Sequence, residues 1–354
     1  MKRSLLRSVT VLVTACILTG CSATVDVTTA SSAVVTETAE AVTEITEATA
    51  TTEARGHYEY KPVVMSSIFL DIMGEDMYDA YKNYIKAVQN GEDEFAVKSE
   101  NDYDWMLGQF PSNFQPVYEV YTESNYAGAF KDGKATFQYK IPKEELAQKQ
   151  AEFEEMVTGI LNEVLRDDYS DVEMVLALYI YFANNYTYDY DTYNKMSDEA
   201  VQGICAYRFF TTKHGICAEC SAAFSFLLLQ AGVDAIGCGG NRESDGEGHA
   251  WTYVTINGKN YHVDPTFAME SGNCLSYFMM TDSQRYNEGG FKQEDNRVAC
   301  HYKSDRNGSE YTADDDFFAP LWGKYLTSFD TEKKIIYYTD IDGNKGEFDY
   351  SAFG

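Results

Sequence analysis

The fold is decided by three segments, which read Gly215-Ile216-Cys217-Ala218-Glu219-Cys220, His249-Ala250-Trp251 and Tyr261-His262-Val263-Asp264-Pro265-Thr266. A thiol, an imidazole and a carboxylate therefore follow one another along the chain as Cys217, His249 and Asp264. This set of side chains is typical of thiolate nucleophilic catalysis, in which a base activates the sulfur and a third group orients the base.

The first segment predicts a buried helix that carries Cys217 at its start. Residues 221–230 are almost wholly apolar, and Gly232 follows as a helix stop. Cys217 is therefore expected at or just before the first turn, where the helix dipole and free backbone N–H groups lower the pKa of a thiol. Glu219 is interpreted as a first-turn charge on the same helix.

The other two segments predict an antiparallel hairpin. They flank Asn257-Gly258, which is typical of a two-residue type I′ turn. With that turn Trp251 lies opposite Asp264, so His249 shares a sheet face with Asp264 and lies diagonally across from it. Diagonal neighbours are roughly 7–8 Å apart at the backbone, within reach of a hydrogen bond between their side chains. A one-residue change in the loop would put the two side chains on opposite faces.

Together the segments Gly-Ile-Cys, His-Ala-Trp and Val-Asp-Pro-Thr resemble the transglutaminase-like superfamily, relatives of the papain-like cysteine proteases. The resemblance covers residues 170–285. It implies Cys217 as nucleophile, His249 as general base and Asp264 as the group that orients the base. It also implies that a tyrosine ahead of the cysteine approaches the active site, and Tyr188 is the candidate. Cys220 departs from the pattern, because many members carry an aromatic residue there.

The expected fold class is α+β, with a papain-like core in which the cysteine helix packs on an antiparallel sheet that carries His249 and Asp264. A small N-terminal α/β lobe, residues 57–145, is expected before a catalytic core at residues 146–300. A C-terminal β extension, residues 301–354, is expected to end in a hairpin.

Other elements follow from hydrophobic periodicity and capping residues. The predicted helices span residues 75–89, 142–165 and 174–183, and the predicted strands span residues 115–122, 127–141, 233–239, 334–339 and 347–350. Residues 239–248 form a glycine-rich loop before His249, interpreted as an ordinary connection with a cleft gate as the alternative. Residues 283–311 are polar and are expected to form loops.

Residues 1–20 have the composition of a secretory signal, with basic residues before an apolar run that is too short for a comfortable membrane span. The run ends in Leu18-Thr19-Gly20-Cys21, which resembles a bacterial lipobox and implies cleavage before Cys21 and acylation of its thiol. An ordinary secretion signal is the alternative. Residues 21–56 are rich in Thr, Ala, Glu and Val and are predicted to be a disordered tether, with a regular helix as the alternative.

The charge of the chain limits its partners. The formal net charge is −28, and such a surface repels nucleic-acid phosphates and anionic lipid headgroups. The acyl group on Cys21 is then the expected membrane contact, which would hold the exported protein at the outer face of the bacterial cell membrane. Extracellular proteins or cell-wall peptides are the expected substrates. No oligomeric state is predicted.

The cysteines and the remaining histidines allow other interpretations. Cys217 and Cys220 form a Cys-x-x-Cys, but no second such pair occurs and the spacing fits no common zinc site, so no metal and no cofactor is expected. A redox pair and an inert buried thiol remain alternatives. His214 could serve as base but is interpreted as a surface residue, and His262, with no acid beyond it, is interpreted as structural. The cysteines expected in the mature chain, mostly reduced, are Cys205, Cys217, Cys220, Cys238, Cys274 and Cys300.

The sequence favours acyl transfer as the function. The Cys217 thiolate would attack an amide carbonyl, backbone N–H groups near Cys217 would hold the oxyanion, and water or an amine would resolve the thioester. The alternative is a catalytically silent domain that acts as a surface binding module.

Overall fold

A computed structural model describes residues 56–103, 122–123, 129–195, 203–293, 297–298 and 311–353. The predicted secretory signal, the lipobox and nearly all of the predicted tether lie outside the described residues, as do Cys300 and most of the strand predicted at 115–122. No helix among the described residues is long and apolar enough to cross a bilayer.

The described residues form nine α-helices. The helices are α1 Ser67–Met73, α2 Glu75–Gln89, α3 Lys143–Val164, α4 Asp171–Asn185, α5 Tyr190–Asn194, α6 Ala206–Thr212, α7 Cys217–Ala231, α8 Pro265–Ser271 and α9 Asp282–Gly289. The three helices predicted outside the site are confirmed as α2, α3 and α4. At the start of α4, the Glu173 side chain accepts a hydrogen bond from the Ser170 N–H (2.7 Å), which is one half of a capping box.

The strands form several small sheets around one four-stranded sheet. They are β1 Glu94–Ala96, β2 Thr122–Glu123, β3 Phe130–Lys131, β4 Lys134–Thr136, β5 Gln138–Tyr139, β6 Thr187–Tyr188, β7 His214–Gly215, β8 Asp234–Asn241, β9 Gly248–Ile256, β10 Lys259–Val263, β11 Arg297–Val298, β12 Tyr325–Asp330, β13 Ile335–Thr339 and β14 Lys345–Asp349. The central sheet has the antiparallel order β10-β9-β8-β11. A turn at Asp132-Gly133 lies within the strand predicted at residues 127–141 and joins β3 to β4, and both residues have positive φ.

The central helix α7 packs on β8 and β9, so the predicted α+β arrangement of a cysteine helix on an antiparallel sheet is confirmed. Gly232 ends the helix in the left-handed conformation at φ 100°, where a glycine carries no steric penalty. Two serines join the buried helix to the strand by hydrogen bonds: Ser221 donates to the Trp251 carbonyl, and Ser225 pairs with Thr252 at 2.9 Å.

The hairpin of β9 and β10 has the predicted register. Ile256 pairs with Lys259, and the pairing continues until Val263 lies opposite Thr252. Asn257 and Gly258 have φ values of 53° and 72°, the conformation that a type I′ turn requires. The prediction that His249 and Asp264 point to one face of the sheet is therefore confirmed.

The expectation that residues 283–311 form loops is wrong for the described part of this segment. Thr281 caps α9 by accepting a hydrogen bond from the Gln284 N–H (3.1 Å), and Gly290 ends the helix at φ 69°. The buried residues of α9 are Gln284 and Arg285. A pattern of apolar residues could not predict this helix, because its buried face is polar.

The C-terminal residues complete the core. The predicted terminal hairpin is confirmed as β13 and β14, but β12, which pairs with β13, was not predicted. Phe318 is fully buried and contacts the rings of Tyr261 and Phe278, with ring centroids 5.9 and 5.7 Å apart.

Candidate active site

Cys217 is the first residue of α7, as predicted, and remains partly accessible. The chain approaches it through β7, where Gly215 lies against the Phe209 ring. A Cβ at Gly215 would lie 2.3 Å from that ring, so a glycine is required for this approach. The Glu219 carboxylate accepts a hydrogen bond from the Ile216 N–H (3.1 Å), which fixes the start of the helix.

His249 lies between the thiol and the carboxylate. Its Nε2 is 2.8 Å from Asp264 Oδ2, and the imidazole lies close enough to the Cys217 thiol for each group to shift the pKa of the other. Because Nε2 is bound to Asp264, Nδ1 is the ring nitrogen that can take the thiol proton. Phe267 stacks on the imidazole with centroids 4.5 Å apart and planes 13° from parallel, which limits rotation of the ring. The structure thus brings together the three residues that the sequence singled out.

Asp264 is fully buried and uses both of its oxygens. Oδ1 accepts hydrogen bonds from the N–H groups of Thr266 (3.1 Å) and Phe267 (3.3 Å), so the carboxylate is also the N-cap of α8. Oδ2 accepts from His249 and from Arg285 Nη1, the latter at 2.7 Å. The carboxylate that orients the imidazole is therefore itself fixed by three further hydrogen bonds.

The charges of the three groups depend on one another. Burial alone would raise the pKa of the Cys217 thiol, but His249 and a hydrogen bond from the Ala250 N–H outweigh it, and the pKa lies below its ordinary value. Burial would lower the pKa of His249, but Asp264 and Cys217 raise it to about 9. Burial opposes ionisation of Asp264, yet His249 and Arg285 hold its pKa below 3.8. A thiolate–imidazolium pair is therefore favoured near neutral pH.

Arg285 is a residue at the site that sequence reasoning missed. Its side chain is fully buried on α9 and contacts the carboxylate of Asp264. The guanidinium carbon lies 4.8 Å from the ring centroid of Trp251 and 4.5 Å from that of Phe291. A lone arginine in a polar segment carries no sequence signal that it will be buried.

His262 forms a second buried histidine–aspartate pair, which corrects the expectation that no acid lies beyond it. Its Nε2 is 2.9 Å from Asp282 Oδ1, and its Nδ1 accepts a hydrogen bond from Trp251 Nε1 (2.9 Å). Burial lowers the pKa of His262 despite Asp282. Because Nδ1 already accepts the indole N–H, the neutral imidazole fits this position, in agreement with a structural role.

Glu219 lies in the first turn of α7, as interpreted from the sequence, but it is buried and ion-paired. Arg208 Nε donates to Glu219 Oε1 at 2.7 Å, and Arg208 Nη1 donates to Asp189 Oδ2 at 3.0 Å. Asp189 caps α5 by accepting from the Thr192 N–H. The network therefore connects the turn that carries Cys217 to the neighbouring helices α5 and α6.

The remaining cysteines and His214 have no role in the proton transfer between Cys217 and His249. His214 is exposed and pairs with Thr187 at 2.6 Å, in agreement with its interpretation as a surface residue. Cys220 is fully buried, and burial raises the pKa of its thiol. Within the described residues, no disulfide bond joins the cysteines, which are Cys205, Cys217, Cys220, Cys238 and Cys274. Within the described part of the chain, no three His, Cys, Asp or Glu side chains are grouped to hold a metal ion.

A cleft of about 220 Å³ opens beside His249. Its lining is mainly aromatic with several charged groups: Tyr188, Tyr190, Tyr193, Arg242, Glu247, Gly248, His249, Thr266, Phe267, Glu270 and Phe291. Burial, and then the charge of Cys217, raise the pKa of Tyr188, so this tyrosine approaches the sulfur as expected. The connection between β8 and β9 forms one wall and is closed on itself by ion pairs of Arg242 with Asp245 (2.9 Å) and Glu247.

Part of the chain is similar to a known family. Residues 158–265 match the Transglutaminase-like superfamily, and the matched residues include Cys217, His249 and Asp264. No curated protein matches the chain.

Two solved structures are similar over part of their length. One is a candidate cysteine protease from Cytophaga hutchinsonii, with 20% identity, 28% of this chain and 33% of that chain covered, and a TM-score of 0.23. The other is described as a TGase, with 18% identity, 46% of this chain and 45% of that chain covered, and a TM-score of 0.28. The chain thus spans less than half the length of each.

Proposed function

We propose that the protein is a cysteine-dependent acyltransferase or peptidase that acts on protein or peptide amides through Cys217, His249 and Asp264. The observation that carries the proposal is the position of one imidazole, which contacts a partly accessible thiol on one side and a buried carboxylate on the other. An imidazole held in this way can take the thiol proton and return it to a leaving group.

In the acylation step, the Cys217 thiolate, whose proton is already on His249, attacks the carbonyl carbon. A carbon–sulfur bond forms, and the carbonyl electron pair moves to oxygen. Backbone N–H groups at the start of α7, which have no partner within the helix, can hold this oxyanion. When the oxyanion collapses, the carbon–nitrogen bond breaks, the proton of His249 passes to the leaving amine, and a thioester remains.

In the second step, His249 removes a proton from water or from an amine, which attacks the thioester and expels the Cys217 thiolate. Water gives a carboxylic acid, and an amine gives a new amide. A labelled amine offered together with surface proteins separates the two outcomes, because a transferase attaches the label and a peptidase releases a free acid.

Thiol reactivity tests the proposal. We expect iodoacetamide to alkylate Cys217 at least about tenfold faster than the other cysteines at pH 7, because an ordinary thiol is only a few per cent ionised there. The alkylation rate of Cys217 should rise with pH in a range that lies below the pKa of an ordinary thiol. It should change a second time near pH 9, where His249 loses its proton. Site-resolved mass spectrometry provides the measurement.

Two histidine variants make the test specific. His249→Ala should reduce the rate at Cys217 to that of an ordinary thiol, whereas His214→Ala, three residues from the cysteine and exposed, should leave it unchanged. Equal and slow alkylation of all cysteines in the wild-type protein would contradict the enzymatic proposal and favour a surface binding module.

We further propose that the protein is exported and anchored by lipid at Cys21, with extracellular proteins or cell-wall peptides as substrates. The lipobox-like segment before Cys21 supports the anchor, and the net charge of −28 disfavours direct binding to anionic headgroups. Metabolic labelling with an alkyne fatty acid should mark the wild-type chain and not Cys21→Ser. Equal labelling of both chains, or of neither, would contradict the anchor.

A further inference from the structure

Arg285 shares its carboxylate partner with His249. Its Nη1 is 2.7 Å from Asp264 Oδ2, and His249 Nε2 is 2.8 Å from the same oxygen. We infer that Arg285 is a positioning residue whose guanidinium is the permanent counterion of Asp264 and limits how strongly that carboxylate holds a proton on His249. The consequence for catalysis rests on the function proposed above, whereas the effect on His249 does not.

The Arg285 guanidinium is fully buried among aromatic rings. The guanidinium carbon lies 4.5 Å from the ring centroid of Phe291, 4.8 Å from that of Trp251 and 5.2 Å from that of Phe267. Cations are stabilised over aromatic faces, most of all when they are desolvated. Phe267 also stacks on His249, so one ring fixes both groups that contact Asp264.

Burial of the Arg285 guanidinium costs free energy, because only part of its hydrogen-bonding capacity is used. Arg285 Nε and Nη2 are buried and have no hydrogen-bond partner in the described structure. Replacement of a buried ion pair by apolar groups is often neutral or stabilising, so a half-satisfied buried arginine is weak evidence for a role in stability. Its Nη1 nevertheless points at the carboxylate that orients the base, which favours an electrostatic role.

Gly289, at the end of α9, leaves room for the guanidinium. A Cβ at this position would lie 2.4 Å from Arg285 Nη2 and 2.5 Å from a carbon of the Phe291 ring. The position of the charge therefore depends on a glycine one helical turn further along the same helix.

Arg285 is the fixed cation that contacts Asp264 directly. Arg242 also lines the cleft beside His249, but it is ion-paired with Asp245 and Glu247. Burial raises the pKa of Cys220, Tyr179 and Tyr277, and burial lowers that of His262, so these neighbours are neutral near pH 7. The cleft carboxylates Glu247 and Glu270 are bound by the hydroxyls of Tyr193 and Tyr190. The groups that face the pair from α7, α4, β10 and the Leu275–Tyr277 turn are thus Cys217, Cys220, Tyr179, His262 and Tyr277.

Charge balance gives the direction of the effect. When Cys217 is a thiolate and His249 is charged, the buried cluster with Asp264 and Arg285 is neutral. When the thioester has formed and His249 is neutral, Asp264 and Arg285 still balance each other. Without the guanidinium, the second state would leave a buried carboxylate without a counterion, which is costly. His249 would then keep its proton to higher pH, and the nearby uncompensated carboxylate would raise the pKa of the thiol.

The experiment measures the His249 titration directly. Carbon-13 histidine NMR follows the imidazoles of the wild-type chain, and His249→Ala identifies the signal. Arg285→Met should raise the midpoint of His249 by about one pH unit, because a like charge has been removed from its neighbourhood. Arg285→Lys keeps the charge and should stay within a few tenths of the wild-type value. Arg166→Met, which removes a partly exposed arginine paired with Asp168, should change nothing.

The pH profile of Cys217 alkylation is the second readout. The two pH values at which the alkylation rate of Cys217 changes should both be higher in Arg285→Met than in the wild type. In Arg285→Lys they should be close to the wild-type values. Lost packing would not produce this pattern. If circular dichroism shows that the methionine variant is unfolded, Gly289→Ala takes its place, since it displaces the guanidinium and should move the His249 midpoint in the same direction.

Two outcomes would overturn the inference: an unchanged His249 midpoint in a folded Arg285→Met or Gly289→Ala variant, or an equal shift in Arg285→Lys and Arg285→Met. Slow alkylation of wild-type Cys217 together with the expected NMR shift would contradict the proposed enzyme but uphold the role of Arg285. Rapid alkylation of wild-type Cys217 with an unchanged His249 midpoint in Arg285→Met would support the proposed enzyme but contradict the role of Arg285.

Discussion

Among single residues, Asp264 connects the most parts of the site. One carboxylate accepts hydrogen bonds from an imidazole, from a guanidinium and from two backbone N–H groups. It therefore ends β10, begins α8 and orients His249 at the same time. Its pKa is held below 3.8 despite complete burial, because its charged form has all of these partners and its neutral form would lose them.

Asp264→Asn should destabilise the fold by about 3–5 kcal/mol near neutral pH, because it leaves the buried cation of Arg285 without a counterion. A carboxylate whose folded pKa is depressed contributes stability above its unfolded pKa, and this contribution is lost as pH falls through the folded value. The difference from wild type should therefore be full above pH 3.8 and shrink at lower pH. Urea unfolding at a series of pH values provides the measurement.

The matched control is Asp168→Asn, which removes a largely exposed carboxylate from its pair with Arg166. Exposed pairs contribute about 0–1 kcal/mol, so this variant should unfold close to wild type. Equal unfolding midpoints for Asp264→Asn and Asp168→Asn at pH 7 would contradict the importance of the buried pair.

Residue roles were predictable where a local motif carried them. Cys217, His249 and Asp264 could be singled out because each lies in a short segment with a recognisable neighbourhood. Arg285 could not, since its contact with Asp264 spans 21 residues and joins two elements. Asp282 was missed as the partner of His262 for the same reason, as the two are separated by 20 residues.

At the scale of elements, the hairpin of β9 and β10 decides whether the site can exist. The two-residue turn at Asn257-Gly258 sets the register, and the register puts His249 and Asp264 on one face. The strand β8 supports this arrangement from the other side, where Gly240 pairs with His249.

Insertion of one glycine after Gly258 should separate His249 from Asp264 by moving β10 one residue along β9. The carboxylate would then face away from the imidazole, so we expect the midpoint of His249 to fall from about 9 towards its ordinary value of 6.5. Histidine NMR measures the midpoint in the insertion variant. Insertion of two glycines is the control, because a longer loop can preserve the pairing. A His249 midpoint that stays near 9 after a single insertion would contradict the role of register.

Long helices were predictable when their buried face is apolar or when their caps are strong. α2 and α3 meet the first condition, and α4 meets both. The short helices α1, α5, α6, α8 and α9 were missed. The positions of α5 and α6 depend on ion pairs, and the buried residues of α9 are polar. Arg208 illustrates the point, because its contacts with Glu219 and Asp189 join three helices that are separate in sequence.

At the scale of the whole molecule, one connected core runs from Val64 to Tyr350. The N-terminal residues contact the central helix through Lys61, whose N–H donates to Gln230 Oε1 at 2.8 Å. Glu173 of α4 connects this helix to the C-terminal sheet, because its buried carboxylate accepts hydrogen bonds from Lys334 (2.9 Å) and from Tyr350 (2.6 Å). The segments before and after the site therefore support it by packing on the helix and the sheet that carry it.

The sequence by itself determined the class of fold, the order of the thiol, imidazole and carboxylate, and the register that aligns two of them. These features depend on local patterns: a helix start, a tight turn and the alternation of a strand. Only the tertiary structure decided that a buried arginine shares the carboxylate, that a second histidine has an acid partner and that tyrosines wall the cleft. Those contacts join residues distant in the chain, and their strength comes from burial, which no single segment of sequence contains.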